Sequence, residues 1–223
     1  MDETPLTDPE FLSMTFVVID FEALTPAGRP PEPIEVAAVA GRFGEDGSWR
    51  ELGRCAALMR PPDDVAIAPF DLALTGLTER TLRRQRPAGE VMADLDRLLD
   101  APPYRLVAHH AHTEANLIAG QRRHCPVLAG IPLLCTVKLA RVAYPELPRH
   151  NLDALLRHLR IPRPADRHRA LPDVLVTVAV LRAILRTGAE AGAWTTLREL
   201  QVAGGVAPGR APSTPRTDQT RLF

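Results

Sequence analysis

Four carboxylates and one histidine carry the chemistry that this chain advertises. FVVIDFEAL (16–24) places Asp20 and Glu22 two positions apart in an apolar run of strand formers. Side chains alternate along a strand, so both acids project from one face. Two ionised carboxylates so placed repel each other and lose hydration unless a positive partner meets them. A metal ion is one such partner; a strand running out of its sheet into water is the other explanation, and the motif alone leaves both open. Glu114 follows the strand-like YRLVAHH (104–110) at the start of a helix read as capped by Thr113, where the helix dipole favours an ionised ligand. Asp173 falls in the first turn of the last long helix, again at a positive end. His168 precedes it by five positions on a loop, because Pro172 is suited to a first helical turn. A loop histidine beside a metal-bound water is placed to act as general base.

The elements that must position these groups follow from periodicity. IEVAAVAGRF (34–43) and WRELGRCAALMRP (49–61), joined by the turn EDGS, follow FVVIDFEAL as two further strands, so the first three strands form an antiparallel meander. A helix is expected over 87–100, with Val91, Met92, Leu95, Leu98 and Leu99 on its buried face. The strand at 104–110 then leads to a helix stopped by Pro126, and IPLLCT (131–136) is a short strand running into another helix. NLDALLRHLRIP is a helix capped by Asn151, and a long helix spans 171–186. Strands as a meander, then alternating with helices, describe an α/β domain over 11–187: a mixed sheet with helices on both faces. Residues 1–10 are expected to be a flexible N-terminus, 188–202 a short accessory helix, and 203–223 a disordered tail.

Composition narrows the class. The chain has 223 residues, 45% of them hydrophobic, only 4% aromatic, with a formal net charge of zero. That length supports one well-buried domain with additions, and the neutral balance argues against a globally basic nucleic-acid binder. Arginine is nevertheless dense in ERTLRRQR (79–86) and RHLRIPRPADRHR (157–169), patches able to hold phosphates or simply to solvate helices. Cys55, Cys125 and Cys135 form no C-x-x-C pair, so neither a disulfide framework nor a zinc site is indicated. With no secretory pattern at MDETPLTDPE and no membrane-length apolar run, a cytoplasmic protein with no membrane partner is expected.

Taken together, D-x-E in the first strand, H-x-A-x-x-E after the 104–110 strand and H-x-x-x-x-D before the last helix resemble the DEDDh family of 3′-to-5′ exonucleases, which has an RNase H-like fold and includes the proofreading epsilon subunit of bacterial DNA polymerase III. LTGLT (74–78), VAHHA (107–111), LCTVKLAR (134–141), LPRHNLDALLRHLRIP (147–162) and HRALPD (168–173) extend the likeness across the folded region. The resemblance implies two divalent cations, Mg²⁺ or Mn²⁺, bridged by Asp20 and completed by Glu22, Asp173 and Glu114. It makes His168 the general base and a nucleoside 5′-monophosphate the product, released from nucleic acid with DNA favoured. Ala23, Leu24 and Leu77 match positions that touch the terminal nucleotide. The family's usual third acid is aspartate after an aromatic; here Thr113 and Glu114 stand there, and glutamate is one methylene, about 1.5 Å, longer.

Other readings make distinct demands. A haloacid-dehalogenase-type phosphatase needs aspartate as its second acid, which DFEAL lacks. A catalytically impaired nucleic-acid-binding or polymerase-associated module would keep the fold without the chemistry, and an RNA-trimming exoribonuclease would share both. The terminal QTRLF resembles the peptide by which bacterial replication and repair proteins dock on the sliding clamp, with Gln219 at the pocket rim and Leu222 and Phe223 as apolar anchors.

Overall fold

The computed structural model describes residues 7–67, 72–73, 75–99, 102–166 and 168–209. Six strands form one sheet: β1 (Thr15–Leu24), β2 (Glu32–Phe43), β3 (Trp49–Leu58), β4 (Tyr104–Ala108), β5 (Leu133–Cys135) and β6 (Gly205–Val206), in the order β3-β2-β1-β4-β5-β6. The meander is as expected, with β1–β2 and β2–β3 antiparallel. β4 joins β1, and β5 joins β4, in parallel, so the sheet is mixed.

β1 is central, and its alternation sorts residues between two apolar layers. Phe16 and Val18 face one layer with Val174, Val178 and Leu181; Val17, Ile19 and Phe21 face the other with Val91, Met92, Ala115 and Ile118. The first layer carries α1 (Pro9–Ser13), α5 (Thr136–Ala143), α6 (Leu152–His158), α7 (Ala170–Glu190) and α8 (Leu197–Gly204). The second carries α3 (Ala88–Arg97) and α4 (His112–Gly120), while the short α2 (Glu79–Arg83) adds Leu82 to a smaller cluster with Leu24, Ile34, Val65 and Leu72. By the period-two rule Asp20 and Glu22 continue the Phe16–Val18 face, the one that α7 covers.

Several boundaries differ from expectation. Residues 9–13 are helical: the Asp8 carboxylate accepts from Glu10 N at 3.0 Å and, with its other oxygen, from Leu197 N at 2.8 Å, so it serves the first turns of α1 and α8 together. Far from being accessory, the 188–202 region is core: Trp194, Leu197 and Leu200 are fully buried, and the Trp194 indole donates to Leu185 O at 3.1 Å. Gly188 is required there, since a Cβ would lie 2.0 Å from the Trp194 ring. α8 continues to Gly204, and β6 pairs with β5 through Leu133–Val206, so residues 203–206 are structured where a disordered tail was expected. Lys138 Nζ reinforces this by donating to Gly205 O at 2.9 Å. Gly209 lies so close to α4 that a Cβ would sit 2.1 Å from Ala115 O. Residues 210–223, including Gln219, Leu222 and Phe223, lie outside the described residues. Helix α3 ends at Arg97, leaving Leu98 62% exposed rather than on the buried face.

Candidate active site

Position in the sheet gives the site its opening. β1 pairs with β4 only over Thr15–Val18, whereas it pairs with β2 as far as Leu24. Past Val18 the β4 side of β1 therefore has no strand beside it among the described residues, and the chain leaving β4 turns through His109–Ala111 into α4. The chain leaves the carboxyl ends of β1 and β4 toward opposite sides of the sheet, which is where open α/β sheets place their ligands. A cleft of about 320 Å³ lies there, and Asp20, Glu22, Glu114, His168 and Asp173 all line it.

Three of the acids converge. One carboxylate oxygen from each of Asp20, Glu22 and Asp173 lies within 4.8 Å of the others. β1 supplies two by strand alternation; α7 supplies the third from its first turn, where Asp173 N donates to Arg169 O at 3.2 Å and the side chain is buried. Hard oxygen donors this close suit Mg²⁺ or Mn²⁺. Glu114 lines the same cleft but does not join that group of three. It is only 4% exposed, its Oε2 has no hydrogen-bond partner among the described residues, and burial pushes its carboxyl up to about 8. Its own backbone N–H opposes that shift and the Glu22 charge adds to it. Protonated or held against a cation, the group is stable; ionised and alone, it is not. The donor set therefore fits a dication, with Glu114 as the acid most dependent on one.

His168, the residue expected to act as general base, lines the cleft. His168 is half-buried in the turn before α7 with φ 66°, a left-handed conformation uncommon for a non-glycine residue. α7 starts at Ala170, so Pro172 sits inside its first turn rather than at its start. Thr113 lines the cleft but does not cap α4: Ala111 occupies that position without a side-chain bond. Asn151 caps α6 as expected, accepting from Ala154 N at 2.9 Å, and also faces the cleft.

Of the three residues expected at the terminal nucleotide, none lines this cleft. Leu24 is fully buried among Ile34, Val65, Leu72 and Leu82, which leaves its side chain no open face. Ala23 and Leu77 are half-buried against apolar clusters. Two cleft residues that the sequence motifs contain, but to which no role was given, are His109 and His110. His109 makes a 2.8 Å contact from Nδ1 to Thr136 Oγ1, and the exposed His110, with φ 67°, stands edge-on to it at 5.1 Å between ring centroids. The run VAHHAH carried the signal, two imidazoles between a strand end and a helix start.

With this geometry the likenesses to known proteins can be placed. Residues 17–181 match the model of the RNase_T exonuclease family. The chain is 32% identical over 86% of its length to a protein of Mycobacterium tuberculosis named as a bifunctional exonuclease/endonuclease, spanning 30% of that protein. It is 30% identical over 73% of its length to a PolC-type DNA polymerase III of Oceanobacillus iheyensis, spanning 11% of it. The chain thus corresponds to a minor part of either relative. Among solved structures, exonuclease X in complex with 5′-overhanging duplex DNA superposes with a TM-score of 0.59 and 25% identity, covering 85% of this chain and 99% of that one. The mixed sheet is RNase H-like, the five acid and histidine positions stand in DEDDh order with glutamate as third acid, and the chain belongs to the RNase_T exonuclease family.

Proposed function

We propose that the chain is a metal-dependent 3′-to-5′ exonuclease that releases nucleoside 5′-monophosphates, with single-stranded DNA ends as its favoured substrate. The observation that carries this reading is the meeting of Asp20, Glu22 and Asp173 within 4.8 Å in a cleft that His168 and Glu114 also line. The four acids hold two divalent cations, Mg²⁺ or Mn²⁺, which when bound supply Lewis-acid stabilisation of phosphoryl and leaving oxygens and lower the pKa of water. His168 accepts the proton of the attacking water on a ring nitrogen. The water oxygen bonds to phosphorus as the P–O3′ bond breaks, the departing O3′ takes a proton from solvent to become the 3′-hydroxyl of the shortened strand, and the 5′-monophosphate departs. A 5′-labelled single strand shortened stepwise from its 3′ end, in a reaction lost in Asp20→Ala, is the expected result; release of labelled mononucleotide from the 5′ end would refute the direction. Parallel RNA and duplex substrates test the preference for DNA, which the likeness to PolC-type polymerases and to exonuclease X supports.

The same reading gives the longer third acid a consequence: activity is retained with altered metal preference. Glu114→Asp, compared with the parent in Mg²⁺ and Mn²⁺, tests it; both proteins inactive in both metals would sink it. QTRLF docks on a sliding clamp, tethering the nuclease for proofreading or repair in the cytoplasm. A pull-down with purified clamp should lose the chain truncated after Asp218, and equal retention would remove that role. No helix among the described residues is long and apolar enough to cross a membrane.

A further inference from the structure

One ion pair, its carboxylate buried and its guanidinium partly exposed, joins the two halves of the site. Asp20 and Glu22 belong to the sheet; His168 and Asp173 belong to a turn and the first turn of α7. Glu35, on β2, is the cross-strand partner of Glu22 and so stands on the same sheet face. Although only 4% exposed, it is fully engaged: Arg169 Nε reaches its two oxygens at 3.2 and 2.9 Å, and Arg169 Nη2 reaches Oε1 at 2.9 Å. Ala170 N, the first amide of α7, adds a third donor at 3.4 Å. The Arg169 guanidinium also lies within the field of Glu22.

We infer that Glu35 and Arg169 are positioning residues that fix the His168 turn and the start of α7 against β1, and so set the turnover rate. The inference rests on the exonuclease reading for its kinetic consequence only. Arg169 is covalently next to His168 and accepts on its carbonyl from Asp173 N, so any displacement of Arg169 moves the imidazole and the third carboxylate together. His168 holds a left-handed backbone uncommon for a non-glycine residue, and the fork on Arg169 restrains the residue next to it. Buried ion pairs contribute little net stability compared with an apolar pair, whereas breaking one partner leaves a costly charge. Such a pair here is explained by geometry: misplacing a catalytic group by about 1 Å can cost on the order of 100-fold in rate. Lysine keeps the charge at 169 but has no planar fork, so Arg169→Lys isolates the geometry.

The test uses full-length Glu35→Gln and Arg169→Lys with a 5′-labelled single strand in Mn²⁺, beside the His168 imidazole NMR signal, assigned by its disappearance in His168→Gln. Expected are a kcat lowered at least tenfold with KM within twofold, and a His168 signal broadened or displaced while the variants remain folded. A folded variant with kcat within twofold of the parent, or a rate loss that only tracks the unfolded fraction with the His168 signal unmoved, overturns the inference. Should Glu35→Gln fail to fold, Arg169→Lys decides alone. A parent protein inactive on every strand would refute the exonuclease reading, while the His168 signal would still report on the pair.

Discussion

Glu114 makes the stability of the metal-free protein depend on pH in a direction opposite to that of most carboxylates. Its carboxyl is pushed from an ordinary 4.5 to about 8 by burial, so between those values the folded protein keeps a proton that the unfolded chain has released. Stability therefore falls as pH rises through that window: it is intact below about 4.5 and lost progressively toward 8. With 1.36 kcal/mol for each pH unit over which the two states differ, the loss by pH 8 is on the order of 4 kcal/mol. For a chain of this size that corresponds to roughly 10 °C in Tm. Glu114→Gln keeps the shape, removes the titration and should flatten the profile. The assay is urea unfolding in EDTA at pH 5, 6, 7 and 8 for both proteins. Parent stability should fall across the series by several kcal/mol relative to the variant, and Mg²⁺ or Mn²⁺ at pH 8 should return more stability to the parent than to the variant, which keeps the acidic trio. Parallel profiles for the two proteins, or a parent that gains stability over the variant as pH rises in EDTA, would refute the reasoning.

Other consequences are as direct. Asp20→Ala should lower nuclease activity by about three orders of magnitude or more, because one ligand of the acidic trio is lost, with far-UV circular dichroism unchanged. Binding of a dication must expel the proton from Glu114, so metal affinity measured by calorimetry should rise between pH 6 and 8 and lose part of that slope in Glu114→Gln. Gly188→Ala should destabilise by about 1–3 kcal/mol in urea unfolding, since its methyl would meet the Trp194 ring. Asn151→Ala removes the side-chain acceptor at the start of α6 and should cost about 1 kcal/mol by the same measurement.

What could be read from the sequence was what short-range periodicity encodes. Strand alternation placed Asp20 and Glu22 on one face, and the meander, the Asn151 cap and the existence of the long helix α7 follow from patterns within a dozen residues. What escaped depended on distant partners. GGV carries no strand signal, and it becomes β6 because β5 offers it an edge and Lys138 holds its carbonyl. Leu98 fits the helical stripe of α3 and is exposed because the helix stops one residue earlier. At Glu114 the first-turn position was legible but the burial was not, and the burial is what changes its chemistry. The Arg169–Glu35 pair spans 134 positions, beyond any local pattern.

The close seat of Gly209 against α4 fixes where the last segment of the chain departs: beside the helix whose first turn holds Glu114. Gln219 follows Gly209 by ten positions, and that stretch fully extended reaches at most about 35 Å. A partner that held QTRLF, as proposed above, would be kept within about that distance of Gly209. Such a leash turns a search for strand ends through bulk solution into a search through a sphere of that radius, and its effect on rate should vanish when the substrate and the gripping partner are no longer on the same molecule.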